Sequence, residues 1–189
     1  TRSDLDLLRR QGWDTDIQAH VRQGGRVLGI CGGFQMLGRV VRDPEGVEGP
    51  PGETPGLGLL DIDTAIGAEK RLHDVDATET ASGSRITGYE MHMGATTGPG
   101  TDRPWLYLAE AGSGGAPRPE GSVSADGRVM GTYLHGLFAS DAFRAHWLHR
   151  VGGRAAQLDF EQRIEDALDA LAAHCESHLD LDALLRCAR

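Results

Sequence analysis

The segment Arg26-Val27-Leu28-Gly29-Ile30-Cys31-Gly32-Gly33-Phe34 constrains this chain more than any other. A short apolar run bounded by glycines predicts a strand buried on both faces. Helical spacing resumes from Phe34 to Val41, so Cys31 falls on the corner between strand and helix. The pattern G-x-C-G-G matches a nucleophile elbow with cysteine in place of serine. In such an elbow the glycines permit the tight turn. The free amides at the helix start favour a thiolate, and the Gly32 amide can donate to an oxyanion. The competing reading of the motif is a buried cysteine in a tight turn with no chemistry.

Around this corner the periodicity predicts helices over Thr1–Arg10, from Asp14 or Thr15 to the Gly24-Gly25 stop, over Asp141–Val151 behind a Ser140 cap, and over Phe160–His174. The last of these carries an apolar stripe of Ile164, Leu168, Leu171 and Ala172, and Asp180 is placed to cap one more helix. Strands are expected at Leu57–Leu60, Lys70–Val75, Arg85–Met91 and Trp105–Ala109, with a loop from Asp43 to Pro55. Asp126-Gly127 predicts a hairpin whose second arm ends at His135. Helices and strands in this order imply an α/β fold: a central, mostly parallel sheet flanked by helices, with an antiparallel addition near the end. Ligands bind such sheets at the carboxyl ends of strands, where both Cys31 and His135 are expected.

With 189 residues, 39% hydrophobic and 25% charged, residues 1–189 read as a single globular domain. The chain opens on Thr1 already in helical pattern, which reads as a fragment of a longer chain. A net charge of −9 disfavours nucleic acid as a partner. No apolar run reaches the roughly 20 residues of a membrane helix, so no membrane partner is expected. No basic-then-apolar run precedes Leu5, so secretion is not expected. Three cysteines, Cys31, Cys175 and Cys187, are too few and too irregularly spaced for a disulfide framework or a metal site. They imply a reducing, cytoplasmic setting, with Cys175 and Cys187 as packing or incidental thiols.

A nucleophilic thiol needs a group that can protonate a leaving amine, and histidine is the usual one near neutral pH. Of eight histidines, His135 ends a strand and precedes a glycine turn. His146, His149, His174 and His178 lie on charged helices, and His20 and His73 have no chemical context. Glu90 and His92, in Gly88-Tyr89-Glu90-Met91-His92-Met93-Gly94, are site-adjacent candidates that read equally as a substrate loop or a strand end. The patch Gly112–Gly115 lacks the Lys-Ser or Lys-Thr of a phosphate cradle, so no ATP site is expected in these residues. From the residues alone, a cysteine hydrolase or peptidase and a degenerate, non-catalytic domain both stay open.

Three segments, Gly29–Gly38, Gly88–Gly94 and Gly131–Phe138, taken in this order, resemble the signatures of the glutamine amidotransferase domain of the cobyric acid synthase family. The resemblance implies a flavodoxin-like class I amidotransferase fold, here lacking its first strand. It also implies glutaminase activity that feeds ammonia to ATP-dependent amidation of adenosylcobyrinic acid a,c-diamide in cobalamin biosynthesis. By the same resemblance Cys31 is the nucleophile, His135 the general acid–base, and Gln35 a residue that helps hold substrate glutamine. Related enzymes carry a glutamate two positions after the histidine. Leu137 stands there, so a Cys-His pair is expected, with Glu90 as a possible substitute. ATP, magnesium and the corrinoid belong to an amino-terminal synthetase domain outside this chain, and no cofactor is expected on the glutaminase domain itself.

Overall fold

The computed structural model describes residues 1–112, 115–155 and 158–187. Two helices open the fold, α1 (Arg2–Arg10) and α2 (Trp13–Arg22), followed by strand β1 (Val27–Ile30) and the short helix α3 (Gly32–Leu37). Strands β2 (Val40–Asp43), β3 (Gly52–Pro55), β4 (Asp63–Glu79), β5 (Arg85–Thr97), β6 (Leu106–Glu110) and β7 (Arg118–Glu120) come next. Then follow β8 (Ser122–Val123), β9 (Val129–Thr132) and β10 (Leu134–His135). Helices α4 (Asp141–Arg150), α5 (Phe160–His178) and α6 (Leu181–Cys187) close the chain.

The strands form two sheets. One has the order β1-β9-β8; the other runs β10-β5-β4-β2-β3, with β6 on β4 and β7 on β6. Helix α3 packs on β1 and β9, and α4 on β5, so the α/β class expected from the sequence holds. The expected parallel character does not extend across it. Among the described residues β1–β9 and β2–β4 pair in parallel, and the other ladders are antiparallel. The reason is the long pair β4–β5, 17 and 13 residues joined by the short turn at 80–84, which can only fold back on itself. β6 then pairs antiparallel with the other edge of the distal half of β4, from Val75↔Glu110 to Glu79↔Leu106.

Several boundaries differ from expectation for tertiary reasons. Helix α3 stops at Leu37 rather than running to Val41, because Val40–Arg42 are drawn into a ladder between β3 and β4. The expected loop from Asp43 to Pro55 therefore ends in strand β3. The expected strand Leu57–Leu60 is a buried loop instead: the amides of Leu57, Leu59 and Leu60 donate to the carbonyls of Met36 and Leu37, capping α3 with another segment's backbone. The expected glycine patch Gly112–Gly115 includes residues 113 and 114, which lie outside the described residues. Among the described residues no helix is long and apolar enough to cross a membrane.

Two apolar clusters flank β9. Its alternation sends Val129 into a group with Leu5, Phe34, Leu37 and Val41, and Met130 into a group with Trp105, Leu106, Leu134 and Phe143. Burying a side chain of this size contributes about 1.5–3 kcal/mol, so the two clusters clamp the small sheet from both faces. At the corner after β1, a Cβ on Gly29 would sit 2.7 Å from the Gly33 carbonyl oxygen and 2.6 Å from Leu37 Cδ1. A Cβ on Gly33 would meet nothing within 4 Å. Close packing of strand and helix thus requires glycine at 29 and not at 33. Gly29→Ala is expected to destabilise the chain by about 2 kcal/mol through overpacking. Gly33→Ala is expected to be neutral or to stabilise by roughly 0.5 kcal/mol, both read from urea midpoints.

Candidate active site

Cys31 follows the last residue of β1 and caps α3 with φ 54° and ψ −116°; among the described residues it is the one non-glycine with positive φ. Such a conformation costs about 1–3 kcal/mol and persists only where the surroundings fix it. Here three bonds do so. The Cys31 amide donates to the Thr132 carbonyl at 2.8 Å, its own carbonyl accepts from the Gln35 amide at 3.2 Å, and Sγ donates to the Met91 carbonyl at 3.4 Å. The side chain is half-buried rather than sealed in the core, so the elbow expected from G-x-C-G-G is present.

His135 follows three residues after the end of β9, the strand parallel to β1. Strand β10 pairs with β5 through Leu134↔Glu90 and His135↔Tyr89. A Cβ on Gly88 would lie 2.1 Å from the His135 carbonyl oxygen, so the strand can approach this closely only past a glycine. The imidazole stacks on the Tyr89 ring with centroids 4.9 Å apart and planes 4° apart. Its Nε2 is buried without a hydrogen-bond partner. Its Nε2 is therefore not committed to another side chain among the described residues. Residues Tyr89 and Met91 of β5, the contacts of His135 and of Cys31 respectively, are one strand repeat apart, about 6.6 Å. β5 thus contacts both expected site residues, two positions apart along the strand. No hydrogen bond joins them directly in this structure.

The other sequence candidates sit beside this pair with their polar atoms already engaged. Gln35 is buried; its Nε2 donates to the Met93 carbonyl at 3.3 Å and the Tyr133 hydroxyl at 3.2 Å, while Oε1 accepts from the Thr1 hydroxyl at 2.8 Å. It ties α3 to β5 and presents no free amide. Glu90 gives one oxygen to His92 Nε2 at 3.3 Å and the other to Arg118, and so does not reach His135 as an orienting group. Burial opposes its ionisation, but His92 and Arg118 hold its carboxyl below the usual range. His92 also bonds the Gly94 carbonyl at 3.0 Å and stacks on Tyr133 at 3.9 Å between centroids. Cys175 is half-buried and Cys187 exposed, both on the closing helices.

One buried carboxylate was not foreseen from the sequence. Glu120, at the end of β7, accepts from the Thr132 hydroxyl through Oε2 and from the Tyr133 amide through Oε1 at 2.7 Å; Thr132 Oγ1 in turn accepts from the Leu134 amide at 2.9 Å. It therefore holds the kink between β9 and β10, which delivers His135, and the same Thr132 supplies the carbonyl that pins Cys31. Burial, with Glu90 nearby, pushes its carboxyl up to about 7 against the pull of these bonds. Standing between Pro119 and Gly121, Glu120 reads locally as a turn residue, and only the fold shows its reach. A cavity of about 520 Å³ lies against this network, lined by residues including Phe34, His92, Thr96, Arg118, Glu120 and Tyr133; neither Cys31 nor His135 lines it.

A cysteine on a strained strand-to-helix corner, with a half-buried histidine on a strand paired with the one the cysteine contacts, is the layout of an enzyme class that forms thioester intermediates. Residues 1–143 match the CobB/CobQ-like glutamine amidotransferase domain, and the chain belongs to that family. The chain is 54% identical over 189 residues to cobyric acid synthase of Cereibacter sphaeroides, covering 100% of this chain and 38% of that protein. It is 53% identical to that of Paracoccus denitrificans, covering 37% of it, and 54% identical to that of Methylorubrum populi, covering 38%. The chain thus spans a little over a third of the curated relatives it matches. Among solved structures, that of PurLQS from Thermotoga maritima overlaps 82% of this chain and 68% of its own at a TM-score of 0.45 and 19% identity.

The elevated Glu120 carboxyl has a consequence for stability. Between about pH 4.5 and 7 the folded chain keeps a proton on Glu120 that the unfolded chain releases, so stability contributed by this group is present below that window and lost as the pH rises through it. Glu120→Gln is expected to remove a loss on the order of 3 kcal/mol. The check is the difference in urea-unfolding free energy between pH 5 and pH 8, which should be larger for the wild type than for the variant.

Proposed function

We propose that this chain is the glutaminase part of a cobyric acid synthase, with Cys31 as nucleophile and His135 as general acid–base. The observation that carries the reading is that the strained Cys31 and His135 are both held on β5, Cys31 through the Met91 carbonyl and His135 through its pairing with Tyr89 two residues away. In this reading the side-chain carboxamide of glutamine enters between them. The thiol proton passes to His135 Nε2 and the sulfur attacks the carboxamide carbon. The oxyanion accepts from the Gly32 amide, which has no acceptor within α3 by helix geometry. The imidazolium then protonates the departing nitrogen, the C–N bond breaks and ammonia leaves. Water adds to the thioester, glutamate departs and the thiol is restored. Strain at Cys31 serves this sequence by holding the sulfur clear of the helix.

The remaining residues support the reading as scaffold. Gln35, expected to hold glutamine, acts in this proposal through Tyr133 and β5 instead, because its amide is fully bonded. Ammonia would serve ATP- and magnesium-dependent amidation of corrinoid carboxylates on the part of the longer polypeptide that the relatives carry, in the cytoplasm. In a full-length polypeptide, Cys31→Ser is expected to lower glutamine-dependent amidation on the order of a thousandfold while leaving ammonia-dependent amidation intact. A glutamine-like electrophile should label Cys31, and glutamine should block the labelling. Labelling indifferent to glutamine would point to a cysteine hydrolase, and loss of neither activity would remove Cys31 from the chemistry.

A further inference from the structure

The closing helices carry an apolar face that the other described residues do not cover. Helix α5 extends over 19 residues without one buried side chain, and α6 has none either. Phe160, Ile164, Leu168 and Leu171 follow the i, i+4, i+8, i+11 spacing of one helix face and line a groove, and Leu168 and Leu171 are 51% and 57% exposed. The contacts tying α5 to the domain lie at its first turn. The Phe160 amide donates to Asp141, and Arg144 sits over the Phe160 ring. Amphipathic helices of this length are marginal in water unless their apolar face is packed, so a stripe this long implies a surface that receives it.

Charge says what kind of surface. Residues 158–187 hold eight acidic and two basic side chains, a net −6 out of the chain's −9. On α5 the spacing gathers Glu161, Glu165, Asp169 and Glu176 along one flank of the stripe, where like charges at i, i+4 repel one another. A second copy would bring the same acidic flank and add repulsion; a cationic rim would relieve it. The relatives also carry more than three-fifths of their length outside the matched region, which is ample chain to form such a surface.

We propose that the apolar face of α5 docks into an apolar groove rimmed by lysine and arginine on the remaining polypeptide of the full-length protein. The proposal rests on the reading above that this chain works within a longer synthase. Its test does not read turnover, so failure of the glutaminase chemistry leaves the readout untouched.

The experiment is amide hydrogen exchange on the full-length polypeptide. In the wild type, peptides from α5 are expected to be protected. Leu168→Asp/Leu171→Asp should raise their exchange at least about tenfold, with peptides containing Cys31 and His135 unchanged. The pair Glu165→Lys/Asp169→Lys keeps the apolar stripe and reverses the flank. It should also lose protection, with partial recovery at high salt. Wild-type α5 exchanging as fast as the Leu168→Asp/Leu171→Asp protein would overturn the proposal. So would protection that disappears on dilution with a parallel shift in sedimentation, since a second copy would then be the cover. Unchanged protection in the charge-reversed protein would overturn the cationic rim.

Discussion

A single carboxylate holds the passage between the two sheets. Between Thr132 and Leu134 the chain leaves the small sheet and joins the large one, and Glu120 bonds to the Thr132 hydroxyl and the Tyr133 amide at that point. Without those bonds a buried amide and hydroxyl would go unpaired at a kink, each at a cost of about 1–3 kcal/mol. Everything that meets at the site hangs on this passage. The Thr132 carbonyl fixes Cys31, the Tyr133 ring packs against Phe34 and His92, and Leu134 starts the two-residue strand that presents His135.

Three buried glutamates show how differently the same side chain is used. Glu79 is saturated: Trp105 Nε1 donates to it at 3.0 Å, the Ser82 amide at 2.6 Å, and Arg150 approaches at 3.3 Å. Burial opposes its charge, but these donors keep its carboxyl low, so it serves as an ionised staple between the β4–β5 turn, Trp105 and α4. Glu90 has an imidazole, His92, at one oxygen and a guanidinium, Arg118, at the other, and its carboxyl stays below the usual range. Glu120 has only neutral donors in contact and a neighbouring carboxylate in Glu90, so burial wins and its carboxyl rises to about 7. The position that organises the site is thus also one that prefers to be uncharged near neutrality.

The sequence made the local parts legible and left the long-range ones hidden. Helices α1, α4 and α5 are readable because their apolar spacing, and for α4 the Ser140 cap, are encoded within a few residues. The corner at Cys31 is readable because close packing of β1 on α3 tolerates no Cβ at Gly29, which fixes a glycine two residues before the cysteine. Leu57–Leu60 carries the composition of a strand yet has no neighbouring edge to pair with; its amides go to the end of α3, which no local pattern records. Parallel pairing was overestimated because a 17-residue and a 13-residue strand separated by a short turn determine their own antiparallel partnership. Glu120 is not legible locally because its partners, Thr132 and Tyr133, come only after the Asp126-Gly127 turn. Gln35 and Glu90 were visible as polar residues in the right segments, but which partners their atoms would find depended on Tyr133, Arg118 and Thr1.

The geometry also links the imidazole to the uncovered helix face through one short packed path. From His135 the chain makes a left-handed turn at Gly136, a single 3-10 turn at Leu137–Ala139, and enters α4 at Ser140, whose hydroxyl both accepts from the Phe143 amide and donates to the Arg85 carbonyl at the start of β5. Leu137 and Phe143 are buried with Trp105, so this stretch is fixed to the core and not free to drift. The first turn of α5 is then attached to α4 through Asp141 and Arg144. A load placed on α5 by a docked surface therefore reaches α4 before it reaches anything else, and α4 is anchored to the same strand, β5, that positions His135 against Tyr89. Close packing transmits such displacements because an interior at crystal-like density has little room to absorb them. The fold thus places the pairing strand of the histidine and the anchoring helix of the exposed face in direct contact.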